Sequence, residues 1–125
     1  MNRENFRNHG TEIIFPKDFL FGVAASAEQI EGGMLDDGRG LSIWDVFSRI
    51  PGTIADNSRP DVGCNLYHRW RDDIQLMESL NVESYRFSIS WPRVMPEGKG
   101  RINQKGLDFY KRLIEGLHNA GIVPN

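Results

Sequence analysis

The stretch FLFGVAASAEQIEGG, residues 19–33, decides how the rest of the chain is read. From Phe19 to Ala25 it is apolar almost without a break, the habit of a strand in a parallel sheet that is covered on both faces. Glu28, Gln29 and Glu31 then arrive within four positions. In parallel α/β folds the segments that follow the carboxyl ends of strands hold ligands and carry the chemistry. A buried strand, predicted over 19–26, that runs straight into two acids and an amide is therefore expected to open onto a site.

Working outward, Pro16-Lys17-Asp18 marks a turn into that strand, and residues 1–15 form a polar, irregular amino-terminal arm. After it, GGMLDDGRGL (32–41) reads as a loop, and Ser42 is placed to cap a short helix, IWDVFSRI. A second loop, 51–63, holds two prolines and two glycines. From Cys64 to Leu80 the apolar residues Leu66, Trp70, Ile74, Met77 and Leu80 recur at helical spacing between charged ones. Asn81 can end this helix in a left-handed conformation, and VESYRFSIS (82–90) supplies the second strand. WPRVMPEGKGRI is read as a loop, and Asn103 as the cap of a helix with Leu107, Tyr110, Ile114 and Leu117 on one stripe, closing at Gly121. IVPN begins a third extended stretch. Strand, helices, strand, helix and incipient strand make a βαβαβ unit of parallel strands. Two strands and a stub leave sheet edges unpaired, so residues 16–125 are expected to be one portion of a larger sheet, broken off inside a strand at Asn125.

Composition narrows the function classes. The 125 residues are 39% hydrophobic, with a net charge of −2 and a pI near 5.9, which gives no basic face for nucleic acid. No run approaches a membrane span, and the opening MNRENFRNHG lacks the apolar core of a signal peptide, so a cytoplasmic location is expected. Cys64 is the only cysteine; it can form no internal disulfide and is read as a buried structural thiol. No spacing of Cys and His suggests a metal site, and no cofactor is expected. His68 has no second ligand at i+4 and is read as a packed or capping residue. Met34, Met77 and Met95 are read as core or loop fillers.

Arg86 stands between Tyr85 and Phe87 in the second strand, where an unpaired guanidinium would cost several kcal/mol. Its anionic partner is Glu28, Glu31 or a group outside this segment. Read from the residues alone, Arg86 is as well explained by a structural ion pair, and Gln29 and Glu31 by capping of the turn AEQIEGG.

FLFGVAASAEQIEGG nevertheless resembles the amino-terminal signature of family 1 glycoside hydrolases, the β-glucosidase and 6-phospho-β-glucosidase group. The match runs through Phe19, Phe21, Gly22, Ala24, Ser26, Ala27, Gln29, Glu31 and Gly33. SIWDVFSRIPGTI and YHRWRDDIQLMESLNVESYRFSISWPRVMPEGKGRINQKGLDFYKRLIEGLHNAGIVPN are similar to the same family. Two places depart from the pattern: Glu28, where relatives carry an aromatic or amide residue, and Asn65-Leu66, where Asp-His is commoner and an altered helix cap is expected.

The resemblance implies a (β/α)₈ TIM barrel, a fold of about 250 to more than 400 residues. This chain would supply its first two βα units and the start of strand 3. The family cleaves β-glycosides with retention, using a glutamate from an NEP motif and another from an ENG motif, and neither motif occurs here. It also implies that Gln29 hydrogen-bonds hydroxyls of the sugar being cleaved and that Arg86 keeps the nucleophile's carboxylate ionised and oriented. Trp91 and Trp44 could stack on a sugar face, although packing is the preferred role for both. Glu31 is read as a structural acid at the helix start. The expected function is thus the amino-terminal part of a retaining β-glycosidase, with a β-glycoside or disaccharide substrate and the remaining barrel segment as partners. A non-catalytic carbohydrate-binding or oligomeric scaffold is the alternative.

Overall fold

The computed structural model describes residues 6–8 and 11–125. Within the arm, β1 (Phe6–Asn8) pairs antiparallel with β2 (Thr11–Ile13), Phe6 opposite Ile13. The arm is therefore not wholly irregular; strands of three residues are too short to leave a period in the sequence. Residues 1–5 and 9–10 of the arm lie outside the described residues.

The turn at Pro16 is closed by the Phe19 N–H donating to the Pro16 carbonyl at 3.1 Å. Then β3 (Gly22–Ala25), β4 (Ser84–Phe87) and β5 (Val123–Pro124) form a parallel sheet in the order β3-β4-β5. Gly22 lies opposite Ser84, Ala24 opposite Arg86, and Ser84 opposite Val123. Short helices occupy the segments after the strand ends: α1 (Ala27–Ile30) and α2 (Ile43–Phe47) follow β3, and α4 (Trp91–Val94) follows β4. A 3₁₀ turn at Asp36–Gly38 lies between α1 and α2. The long helices α3 (Leu66–Ser79) and α5 (Gln104–Asn119) return the chain to the next strand.

The helix periods explain the core. In α3, Leu66, Ile74 and Met77 are buried and Trp70 packs beside them, while Leu80, past the last full turn, is exposed. The helix ends as its sequence suggests, with Asn81 at φ 53°. In α5 the expected stripe is present, but its centre lies on two residues that the stripe omitted, Phe109 and Leu113, which are 1% and 0% exposed. Each such burial stabilises the fold by roughly 1.5–3 kcal/mol. The two helices meet at Gly116, where a Cβ would stand 2.7 Å from Trp70 Cζ3 and 2.8 Å from Ile74 Cδ1.

Ala25, Tyr85 and Phe87 pack against this helical core. Since side chains alternate along a strand, Ala24 and Arg86 belong to the opposite sheet face. The expectation that β3 is buried on both faces is not met. Phe19 and Leu20, just before β3, and Val23 within it are 41%, 51% and 44% exposed: β3 is an edge strand, so even Val23, on the same face as Tyr85, is left half open, and the described residues put no layer on the second face. Cys64, expected to be buried, is exposed; it lies in the turn before α3, and Leu66 takes the inward position. No helix among the described residues is long and apolar enough to cross a membrane.

Candidate functional site

Gln29 stands on α1, a single helical turn, and one turn of helix does not hold itself together in water. Its support comes from elsewhere in the fold. At its start, the Ser26 side chain makes no cap, and the Ala27 N–H donates to Ser88 Oγ at 2.7 Å. At its end lies Glu31, 3% exposed, whose backbone carbonyl accepts from the Tyr67 N–H at 2.8 Å. Glu31 Oε1 accepts from Arg93 Nε at 2.5 Å and Oε2 from the Tyr110 hydroxyl at 2.6 Å. The Tyr110 oxygen in turn accepts from the Ser90 N–H at 2.7 Å. Burial, and then the Glu31 carboxylate, push the Tyr110 hydroxyl far above its ordinary pKa, so it serves as a donor to Glu31.

Arg93 is fully buried. Its Nη2 donates to the carbonyls of Gly32 and Gly33 at 2.9 and 3.0 Å, and its guanidinium lies 3.9 Å from the Tyr67 ring centroid. Gly32 adopts φ +63°, and a Cβ there would fall 2.1 Å from the Val62 carbonyl oxygen, so the carbonyl pair that Arg93 grips depends on glycine. Around the rim, the Tyr67 hydroxyl donates to Asp37 Oδ2 at 2.6 Å and Lys105 Nζ to Oδ1 at 2.9 Å. Burial, with the bond to Asp37, pushes Tyr67 up to about 12; the bond from Tyr67 and then Lys105 hold Asp37 below its ordinary value.

Gln29 itself is exposed and lines a cavity of about 340 Å³ together with Glu28, Trp44, Phe47, Ile54 and Arg59. Glu28 Oε2 accepts from Ser42 Oγ at 3.3 Å, and its Oε1 is enclosed with no hydrogen-bond partner among the described residues. Burial, and then the nearby Asp45 carboxylate, raise the Glu28 pKa against the opposing pull of Arg39 and Ser42. Asp45 behaves oppositely. Burial would raise it, but the Ser42 N–H at 2.6 Å and Arg39 Nη1 at 2.8 Å outweigh burial and hold its carboxyl low. Ser42 Oγ accepts from the Asp45 N–H at 3.1 Å, so Ser42 caps α2 as its position suggests. A larger open groove of about 680 Å³, bordered by Asp37, Pro96, Arg101 and Lys105, contains neither Gln29, Arg86 nor Trp91.

Arg86 is exposed on the face of the sheet away from the helices, and its guanidinium makes no hydrogen bond or ion pair among the described residues. Of the two nearby acids that the sequence left open as partners, Glu31 belongs to Arg93 and Tyr110, and Glu28 to Ser42. Glu31 is a buried structural acid, but it sits at the carboxyl end of α1 and not at its start. Trp91 and Trp44, for which packing was preferred, are 56% and 54% exposed. Trp91 Nε1 donates to the Gly98 carbonyl at 3.0 Å, and the Trp44 ring meets Phe47 edge-on at 5.9 Å. His68 Nε2 lies within hydrogen-bond distance of Asp36 Oδ2, at 2.9 Å. Among the described residues no three His, Cys, Asp or Glu side chains converge as a metal would require.

Arg93 and Tyr110 are the residues that sequence reasoning missed. The available signal was a lone charge inside the apolar run Trp91-Pro92-Arg93-Val94-Met95, which calls for a distant acid just as Arg86 does. Asn103 occupies the cap position of α5, yet its side chain does not cap; Nδ2 donates instead to the carbonyls of Asp37 and Arg93, both at 2.9 Å.

Parallel strands whose following segments gather an amide, acids and two exposed tryptophans define the class: an α/β protein built as the first two βα units of a (β/α)₈ barrel, with the start of a third strand. The family model for glycosyl hydrolase family 1 matches residues 11–125, and the chain belongs to that family. It is 57% identical to "Beta-glucosidase A" of Acetivibrio thermocellus over 114 residues, 91% of this chain and 25% of the relative. It is 56% identical to "Beta-glucosidase A" of Thermotoga maritima over 110 residues, 88% and 25% of the two chains. The solved family 1 β-glucosidase of Thermotoga maritima superposes with a TM-score of 0.86 at 55% identity, covering 88% of this chain and 25% of that one. The chain thus spans about a quarter of the length of the relatives that it matches.

Proposed function

We propose that this chain is the amino-terminal part of a retaining β-glycosidase that hydrolyses β-glucosides or related β-glycosides, supplying sugar-binding and nucleophile-supporting groups. The observation that carries the reading is Arg86: a strand cation on the uncovered sheet face, with neither nearby acid free to neutralise it. A guanidinium there suits a carboxylate arriving from another part of the barrel. By opposite charge and hydrogen bonding it keeps that carboxylate ionised and aimed, which a nucleophile needs. Gln29, exposed at the mouth of a cavity, offers donor and acceptor together to sugar hydroxyls, and the exposed Trp91 ring is suited to stack on a sugar face. The two carboxyl groups that perform cleavage, about 5–5.5 Å apart in a retaining enzyme, come from the rest of the barrel in this reading.

The pH dependence of kcat in the full-length enzyme tests this. Arg86→Met removes the charge and keeps much of the apolar stem, so the nucleophile's pKa rises and the acid limb moves to higher pH by about 1–3 units as kcat falls. Gln29→Ala should lower kcat and raise KM together, because some sugar contacts strengthen only in the transition state. An Arg86→Met enzyme with unchanged kcat and acid limb would make Arg86 a structural residue.

A further inference from the structure

From the bonds converging on α1, we infer that Arg93, Glu31 and Tyr110 form a positioning unit for Gln29, fastening the turn that carries it to the segment after β4. The inference rests on the assignment of Gln29 to sugar binding. Gln29 sits in the middle of a four-residue helix with no side-chain cap and no buried residue. Such a turn takes its orientation from whatever grips its ends, and although the Tyr67 N–H of α3 also holds the Glu31 carbonyl, each end has a grip from Ser88–Arg93, the stretch just beyond β4. Ser88 holds the first N–H of the turn. Arg93 holds Glu31 and, through Nη2, the carbonyls of Gly32 and Gly33.

Tyr110 closes the circuit from α5, its single hydroxyl donating to Glu31 while accepting from Ser90. Arg93, Glu31 and Tyr110 are 0%, 3% and 4% exposed, so water cannot replace any partner that is removed. The same stretch continues β4, which carries Arg86 opposite Ala24 of the strand leading into α1. One buried network thereby sets Gln29 against the strand of Arg86, and the three residues act through Gln29 without touching substrate.

A double-mutant cycle in the full-length enzyme, read as kcat/KM on an aryl β-glucoside, tests the linkage. Arg93→Lys keeps the charge beside Glu31 but lacks the planar fork that reaches both glycine carbonyls. It should lower kcat/KM by about 10- to 100-fold, the scale of a misplacement near 1 Å. With Gln29→Ala already present, the same change should cost less than about threefold, because a misplaced alanine loses nothing more. Should Arg93→Lys fold poorly, Tyr110→Phe, which deletes only the hydroxyl, is put through the same cycle. Full additivity with a damaging Gln29→Ala would overturn the positioning role and leave the sugar-binding assignment standing, since a generalised weakening of the fold is indifferent to residue 29. An inert Gln29→Ala would remove both.

Discussion

Glu28 has one carboxylate oxygen on the Ser42 hydroxyl and the other enclosed with no partner among the described residues, near the Asp45 carboxylate. Its raised pKa means that the ionised form is penalised in the folded protein. The penalty is complete above the raised value and disappears below the unfolded value near 4.5. Glu28→Gln should therefore stabilise the protein at neutral pH by about 0.3–0.5 kcal/mol, kept small because the side chain is only partly buried and solvent still screens its charge. The gain should fade as the pH falls toward 4.5. Calorimetric melts of both proteins at pH 7 and pH 4 measure it, and a gain that grows toward acid would contradict the assignment. At this scale the sequence was uneven. Gln29 and Arg86 could be singled out as polar groups within or just beyond a buried strand, but the residues alone left capping and a structural ion pair open, and their sugar-binding and nucleophile-supporting roles came only from the family resemblance. The Glu31–Arg93 pair was not legible, because its members lie 62 positions apart and only the register of β3 on β4 brings their segments together.

Helices α3 and α5 run 14 and 16 residues, long enough for an apolar stripe to repeat several times, and both were visible in the sequence for that reason. The elements that shape the site are shorter: α1 and α4 have four residues each, less than the span over which a helical period can be told from chance. In α5 the core face centres on Phe109 and Leu113, while the stripe read from the sequence followed its flank at Tyr110 and Ile114. An amphipathic period gives a face, and packing against a specific neighbour sets its centre. That neighbour is α3, and the closeness of the two helices at Gly116 yields a prediction. Gly116→Ala gains about 1 kcal/mol of helix propensity but drives a methyl into Trp70 and Ile74, an overpacking cost of about 1–3 kcal/mol. Urea denaturation should show a net loss of up to about 2 kcal/mol. A stabilised variant would mean that α3 and α5 are free to move apart.

At the scale of the whole molecule, the helical layer covers one face of the sheet and the other carries Arg86 and Val123, with Leu20 and Ile89 about half exposed at the strand ends. Fold class was legible in the order of strands and helices, since that order survives whatever surrounds the unit. The burial of β3 was misjudged because its second face depends on groups that the described residues do not supply. A chain covering a quarter of its relatives' length that provides Gln29, Arg86 and their support, but neither an NEP nor an ENG motif, should bind and brace without cleaving. Hydrolysis of an aryl β-glucoside by the purified 125-residue chain and by the full-length enzyme puts this to the most direct test. The account predicts turnover by the full-length enzyme and none by the chain alone above a Glu28/Glu31 double-alanine control. Turnover by the pure chain above that control would place a cleaving group within these 125 residues and contradict it.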